Sequence, residues 1–307
     1  MLKGKDILSA AQFSLDELNT IMDTADRYEK RVKDGDVIRD LEGLLVATLF
    51  FEPSTRTRLS FEAAAGRLGA GVISVAEAAS SAAAKGESLP DTVRTVDGYV
   101  DVIVIRHPAE GSAQVAADYA RNPVINAGDG AGQHPTQALL DVYTIRKEKG
   151  TLGEQTVAFV GDLKFGRTVH SLAYLMALYR NKMVFVSPPS LQMPADITAD
   201  LRARGATIEE TEDMEEALAA SDIVYVTRIQ KERFDDLSEY EKVRGSYVID
   251  RAAVERAKPG ITVMHPLPRV DEIASDVDDY AGAAYFRQAH NGLYVRMALL
   301  ALIMGRA

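Results

Sequence analysis

Three hydroxyls and two guanidiniums crowd into five consecutive residues, Ser54-Thr55-Arg56-Thr57-Arg58. Free amides at the start of a helix, the positive end of its dipole and capping hydroxyls together make a seat for an anion. Arginine adds forked, permanently charged donors suited to phosphate or carboxylate. Arg106 stands at the end of a second apolar run, Arg167 follows a third through a short glycine-bounded turn, and Arg228 closes a fourth. Four other groups occupy comparable places: His134 and Gln137 where a glycine-rich loop runs into a helix, Gln230 just past Arg228, and Leu267-Pro268 inside His265-Pro266-Leu267-Pro268-Arg269. A buried arginine without a partner is costly, so arginines at four strand ends point to an anionic ligand rather than to packing. The plainer assignment is that Ser54 or Thr55 merely caps a helix and the arginines form a solvated face. The rest of the chain must choose between the two.

Other chemistries find little support. Gly161-Asp162-Leu163-Lys164-Phe165-Gly166-Arg167-Thr168 has the spacing of a nucleotide-binding phosphate loop, but Arg167 stands where lysine belongs. A planar guanidinium does not replace a compact ammonium there. The five histidines, at 107, 134, 170, 265 and 290, show no ligand pairing at helical or hairpin spacing. With no cysteine, the chain has no thiolate nucleophile and no disulfide framework. No G-x-S-x-G elbow is present.

The elements that must position these groups read as alternating strands and helices. Residues 44–50 form an apolar strand, and residues 59–68 repeat apolar side chains at helical spacing. Before them, Ser14 and Glu17 form a capping box for a helix over 14–34. Strands are expected at 69–75, 100–105, 123–126, 156–161, 183–187, 207–208, 223–227 and 261–264. Helices are expected at 92–99, 111–121, 135–149, 168–179, 195–204, 214–220 and 293–304. Residues 76–84 are small, lack periodicity and read as an exposed loop. This alternation implies an α/β chain of parallel sheets flanked by helices, with ligands gathering at the carboxyl ends of strands. The boundary between two domains is expected near the helix after His134.

At 307 residues the chain is long enough for two domains. Its net charge of −10 argues against nonspecific nucleic-acid binding while leaving room for a local cationic pocket. The first residues lack the apolar core of a signal peptide, and the longest apolar run is too short to span a bilayer, so a cytoplasmic protein with no membrane contact is expected.

Five segments carry a family resemblance. FEPSTRTRLSFE (51–62), RHP (106–108), GDGAGQHPTQALLD (128–141), GDLKFGRTVHS (161–171) and HPLPR (265–269) resemble the catalytic chains of the aspartate carbamoyltransferases, within the aspartate/ornithine carbamoyltransferase superfamily. The likeness runs through the whole chain in order. It implies a carbamoyl-phosphate-binding domain over 1–134, completed by a C-terminal helix at 291–307, and an aspartate-binding domain over 135–290. It implies transfer of a carbamoyl group from carbamoyl phosphate to the amino group of L-aspartate for pyrimidine synthesis, without metal or cofactor.

By resemblance, Ser54, Thr55, Arg56 and Thr57 hold the phosphate, while Thr57, Arg106 and His134 polarise the carbonyl. Gln137 and the Leu267-Pro268 backbone fix the carbamoyl nitrogen, and Arg167, Arg228, Gln230 and Lys85 grip aspartate. His134, near a helix amino end, is expected to remain neutral and donate a hydrogen bond. Ser81 and Lys85 are expected to arrive from a neighbouring subunit of a homotrimer whose domains close on substrate. Regulatory chains are possible partners. One departure is Ala84, where many members carry a first lysine before Lys85. An ornithine carbamoyltransferase would need a carboxylate and an HCLP-type loop, yet this chain has Arg228, Lys85 and Pro266. A non-catalytic phosphate-binding module would have no use for Arg167, Arg228 and Lys85.

Overall fold

Parallel strands buried on both faces are nearly continuous apolar runs, and their direction fixes where their carboxyl ends open. The computed structural model describes residues 2–76, 86–234 and 236–307. These form two units, Met1–Leu140 with His290–Ala307, and Asp141–Ala289.

The first unit opens with α1 (Leu15–Lys33), whose N-cap Ser14 and Glu17 make the expected capping box. There follow β1 (Leu45–Phe50), α2 (Thr55–Arg67), β2 (Gly71–Val75), α3 (Leu89–Asp97), β3 (Val102–His107), α4 (Ser112–Tyr119), β4 (Val124–Asp129) and the start of α5 (Pro135–Lys149). The sheet is all parallel in the order β2-β1-β3-β4. Val46, Leu49, Phe50, Ile103 and Ile105 are buried, and β4 is buried throughout. Helix α3 begins at Leu89 rather than at residue 92, because Ser88 accepts from the Asp91 N–H and Pro90 suits a first turn.

The second unit contains the rest of α5, then β5 (Thr156–Val160), α6 (Arg167–Leu178), β6 (Lys182–Val186), α7 (Ala195–Ala203), β7 (Thr207–Thr211), α8 (Met214–Ala220), β8 (Ile223–Val226), α9 (Leu237–Val243), α10 (Arg251–Arg256), β9 (Thr262–Met264) and the first turn of α11 (Tyr285–Ile303). Its parallel order is β7-β6-β5-β8-β9. One face of this sheet buries Val160, Val186, Val224 and Val263 against α8 and α10. The other packs Phe159 edge-to-face with Phe185 and at a tilt against Tyr225, with ring centroids 5.7 and 5.9 Å apart.

Helix α11 starts eight residues before the expected 293. Its first half carries Gln288 and Asn291, polar residues that break the apolar pattern yet lie buried. The remainder returns to the first unit, as expected. There Arg296 lies 5.0 Å over the Phe61 ring and donates to Ser60, and the Ile303 carbonyl accepts from the Gly4 N–H. Among the described residues, no helix is long and apolar enough to cross a membrane.

Candidate active site

Open parallel sheets bind ligands where the strand order reverses, outside the carboxyl ends of the two strands concerned. In the first unit this point lies between β1 and β3, and in the second between β5 and β8. Of those four strands, β1 leads into Ser54–Thr57, β3 carries Arg106 at its carboxyl end, and β5 and β8 lead to Arg167 and Arg228.

In the first unit, Phe50 pairs in register with Arg106, and the Phe51 N–H donates to the Arg106 carbonyl at 2.8 Å. The turn before α2 therefore lies directly beside Arg106. Glu52 in that turn accepts from Arg106 Nη2 at 2.8 Å, which orients a guanidinium only 12% exposed. Ser54 takes the N-cap position with extended φ, but its hydroxyl makes no capping bond. The capping assignment thus leaves the Ser54 side chain without a task. Thr57 is buried. Desolvation lowers the pKa of Arg56, and no carboxylate among the described residues pairs with it. Arg58 belongs to the scaffold: it lies 3.7 Å from Glu62, which accepts from Thr48 and Ser74.

His134 and Gln137 are both buried at the entrance to α5, where the His134 carbonyl accepts from the N–H groups of Gln137 and Ala138. The loop before them is organised by Asp129. Its Oδ1 accepts from Asn126 and the Gln133 N–H, and its Oδ2 accepts from the Gly111 N–H. Gly130 sits at φ +53°, where a Cβ would come 2.7 Å from the Pro108 carbonyl oxygen. The loop carrying His134 is therefore pressed onto the segment leaving Arg106.

In the second unit, Gly161 directly follows β5 at φ +117°, and a Cβ there would come 2.3 Å from the Thr227 carbonyl oxygen. Asp162, fully buried, accepts from the Phe165 N–H at 2.9 Å, and desolvation raises its pKa. This turn delivers Arg167 as the first residue of α6. The Gln230 side chain donates to the Phe165 carbonyl at 3.3 Å, so the segment after Arg228 is tied to the turn before Arg167. Past β9, Leu267 adopts φ +56° and the Leu267-Pro268 peptide is cis. Arg269 turns away to Asp278, 2.7 Å from Nη2 to Oδ2, and to the Tyr285 hydroxyl.

The structure thus gathers Ser54 to Thr57 with Arg106 in one unit, and Arg167 with Gln230 and the Arg228 strand end in the other. Ser81 and Lys85 lie outside the described residues. Sequence reasoning passed over Glu52, Asp129 and Asp162. Each is a carboxylate within a few residues of a strand end, and that position was the available signal.

Two family models match the chain: the carbamoyl-phosphate-binding domain of aspartate/ornithine carbamoyltransferases over residues 5–147, and the Asp/Orn-binding domain over residues 153–303. The aspartate carbamoyltransferase catalytic subunit of Thermococcus gammatolerans is 52% identical over 302 residues, 98% of each chain. Among solved structures, the aspartate transcarbamoylase of Trypanosoma cruzi in complex with carbamoyl phosphate and aspartate superposes with a TM-score of 0.95 at 42% identity, covering 99% of this chain and 98% of that one. The catalytic subunit of the M. jannaschii aspartate transcarbamoylase superposes with a TM-score of 0.91 at 50% identity, over 98% of each chain.

Proposed function

The chain belongs to the aspartate/ornithine carbamoyltransferase family, and from that premise we propose how its own side chains carry the reaction. It transfers the carbamoyl group of carbamoyl phosphate to the amino group of L-aspartate, giving N-carbamoyl-L-aspartate and phosphate, a step of pyrimidine synthesis. The new bond joins the aspartate nitrogen to the carbamoyl carbon, the bond that breaks joins that carbon to a phosphate oxygen, and the proton lost by the amine leaves on the phosphate. The nucleophile must be a neutral amine, the carbonyl must be polarised, and the departing phosphate must be stabilised. No covalent enzyme intermediate is required.

The α2 amino end, with the Ser54, Thr55 and Thr57 hydroxyls and Arg56, receives the phosphate. Arg56 also stabilises the charge that grows on it as it leaves. Thr57, Arg106 and His134 donate to the carbonyl oxygen and hold the oxyanion of the tetrahedral intermediate. A preorganised donor of this kind is worth about 3–4 kcal/mol. Gln137 and the Leu267-Pro268 backbone take the carbamoyl nitrogen. Arg167, Arg228, Gln230 and Lys85 take the two carboxylates of aspartate. Seating both substrates in contact contributes about 7–11 kcal/mol more.

The observation that supports this division most is topological: in each sheet, the strand-order reversal falls between the strands that lead to these arginines. The test is carbamoyl-aspartate formation by the purified chain, with aspartate and ornithine offered separately. Turnover of aspartate alone is expected, and turnover of ornithine would overturn the acceptor assignment. Tight binding of a bisubstrate analogue joining a phosphonate to aspartate would further separate an enzyme from a phosphate-binding module.

The reading extends to a cytoplasmic homotrimer that can take regulatory chains and close its domains on substrate, with Ser81 and Lys85 reaching a neighbour's site. Inactive Arg56→Ala and Lys85→Ala trimers, dissociated and reassembled together, should then regain partial activity. No recovery would reject the shared site.

A further inference from the structure

Behind the Leu267-Pro268 backbone lies a buried polar chain that the proposed reaction does not use. His265, 1% exposed, follows β9 and bonds through both ring nitrogens. The Leu267 N–H donates to Nδ1 at 2.7 Å, so Nδ1 must carry a lone pair. The ring proton therefore sits on Nε2, which donates to Glu272 Oε1 at 2.7 Å. The other Glu272 oxygen accepts from the backbone N–H groups of residues 270 and 271. The His265 N–H itself donates to Gln288, whose amide donates to Asp141, which also accepts from the Tyr225 hydroxyl. Tyr225, Asp141 and Gln288 are all fully buried.

A network of this kind fixes each member's orientation, because every alternative leaves a buried polar group unpaired. Its outlet is Leu267, a non-glycine residue at φ +56°. Such a conformation persists only where its surroundings hold it, and the Nδ1 acceptor is one of those constraints. We infer that His265 is a positioning residue for carbamoyl transfer: its Nδ1 holds the Leu267 backbone in the orientation that meets the carbamoyl nitrogen, and Glu272 fixes the tautomer that makes Nδ1 an acceptor. This inference rests on the carbamoyl-binding role proposed for Leu267-Pro268.

Two amides separate the two ring nitrogens. His265→Asn places an acceptor near the position of Nδ1 and abandons Glu272, whereas His265→Gln reaches Glu272 and abandons Leu267. A third variant leaves the histidine in place. In Glu272→Gln the amide oxygen satisfies the backbone N–H groups only by turning its NH2 toward Nε2. That favours the opposite tautomer, whose Nδ1 proton opposes the Leu267 N–H.

The experiment measures KM for carbamoyl phosphate, kcat, inhibition by inorganic phosphate and melting temperature on the purified full chain. His265→Gln and Glu272→Gln should raise KM for carbamoyl phosphate by about 10–100-fold, the range typical of lost supporting hydrogen bonds. Inhibition by inorganic phosphate, which lacks the carbamoyl end, should stay within about twofold by the same reasoning. His265→Asn should recover most of the activity despite a lower melting temperature. Wild-type KM in both Gln variants overturns the inference. Equal losses in all three variants that track melting temperature also overturn it, since they would mark a purely structural role. Parallel losses for phosphate and carbamoyl phosphate do the same. A wild-type chain that forms no carbamoyl-aspartate would instead sink the proposed function.

Discussion

Gly161→Ala probes how closely the two strand ends that carry arginines in the second unit must approach. A methyl group on Gly161 would lie 2.3 Å from the Thr227 carbonyl oxygen, about 1 Å short of ordinary contact at 3.4 Å. Thr227 has little freedom to yield. Its N–H donates to the Val160 carbonyl at 2.8 Å, and the residue is buried. The substitution must therefore displace the turn that leads to Arg167, or the segment that leads to Arg228, by about 1 Å. A misplacement of that size costs on the order of 10²-fold in rate, or about 2.7 kcal/mol. Overpacking and a φ of +117°, which L side chains rarely adopt, add about 2–6 kcal/mol of destabilisation. Initial rates at varied aspartate and saturating carbamoyl phosphate should show the loss, with KM for carbamoyl phosphate much less affected. Gly205→Ala is the control. It also has positive φ, +86°, but meets nothing within 4 Å, and should cost about 1 kcal/mol of stability with wild-type kinetics. A Gly161→Ala enzyme with wild-type aspartate kinetics and melting temperature would refute the reasoning.

Arg56→Ala should lower kcat/KM for carbamoyl phosphate by at least about 10²-fold. It should leave thermal stability unchanged or improved, because the desolvated guanidinium pairs with no carboxylate among the described residues; a large fall in melting temperature would contradict this. Arg269→Ala should do the reverse, since its partners are Asp278 and Tyr285, and kinetics near wild type with a lower melting temperature are expected. Burial lowers the pKa of His170 below 6.5, and its Nε2 lies 2.8 Å from the Leu163 carbonyl oxygen, to which the neutral ring donates. The unfolded chain then takes up this proton first as pH falls below about 6.5, so stability declines toward acid by at most about 1.4 kcal/mol per pH unit from this group. Urea unfolding at several pH values should show a shallower decline in His170→Gln, and an identical slope would reject the assignment.

What the sequence made legible depended on whether a signal was local. The Ser14–Glu17 capping box and the apolar runs of β1, β3, β5 and β8 need only their own neighbours to declare themselves, and the structure places those elements as read. Helices α9 and α10, seven and six residues long, are too short and too polar to show an apolar period. The early turns of α11 escaped for a different reason. Gln288 and Asn291 look like surface residues in sequence, and Gln288 becomes a core residue only because the His265 N–H and Asp141 satisfy its amide.

The same distinction separates the arginines from the residues that aim them. A guanidinium at a strand end can be read directly, because its charge calls for a partner wherever it is placed. Glu52 beside Arg106 is different. It lies 54 residues away in sequence, and only the β1–β3 register, with Phe50 opposite Arg106, brings the carboxylate to the guanidinium. That pairing also removes an objection to a cationic site in the first unit. An arginine only 12% exposed would be costly to hold there without a ligand, and Glu52 offsets that cost while fixing the direction of the fork. Glu52→Gln should accordingly harm the enzyme twice. It removes the charge that compensates Arg106, and it releases the side chain proposed to polarise the carbonyl. A lower melting temperature and a lower kcat are therefore expected together, whereas Arg56→Ala separates the two. A Glu52→Gln enzyme that loses stability but keeps full kcat would show that Arg106 needs no aiming, and that the backbone register alone suffices.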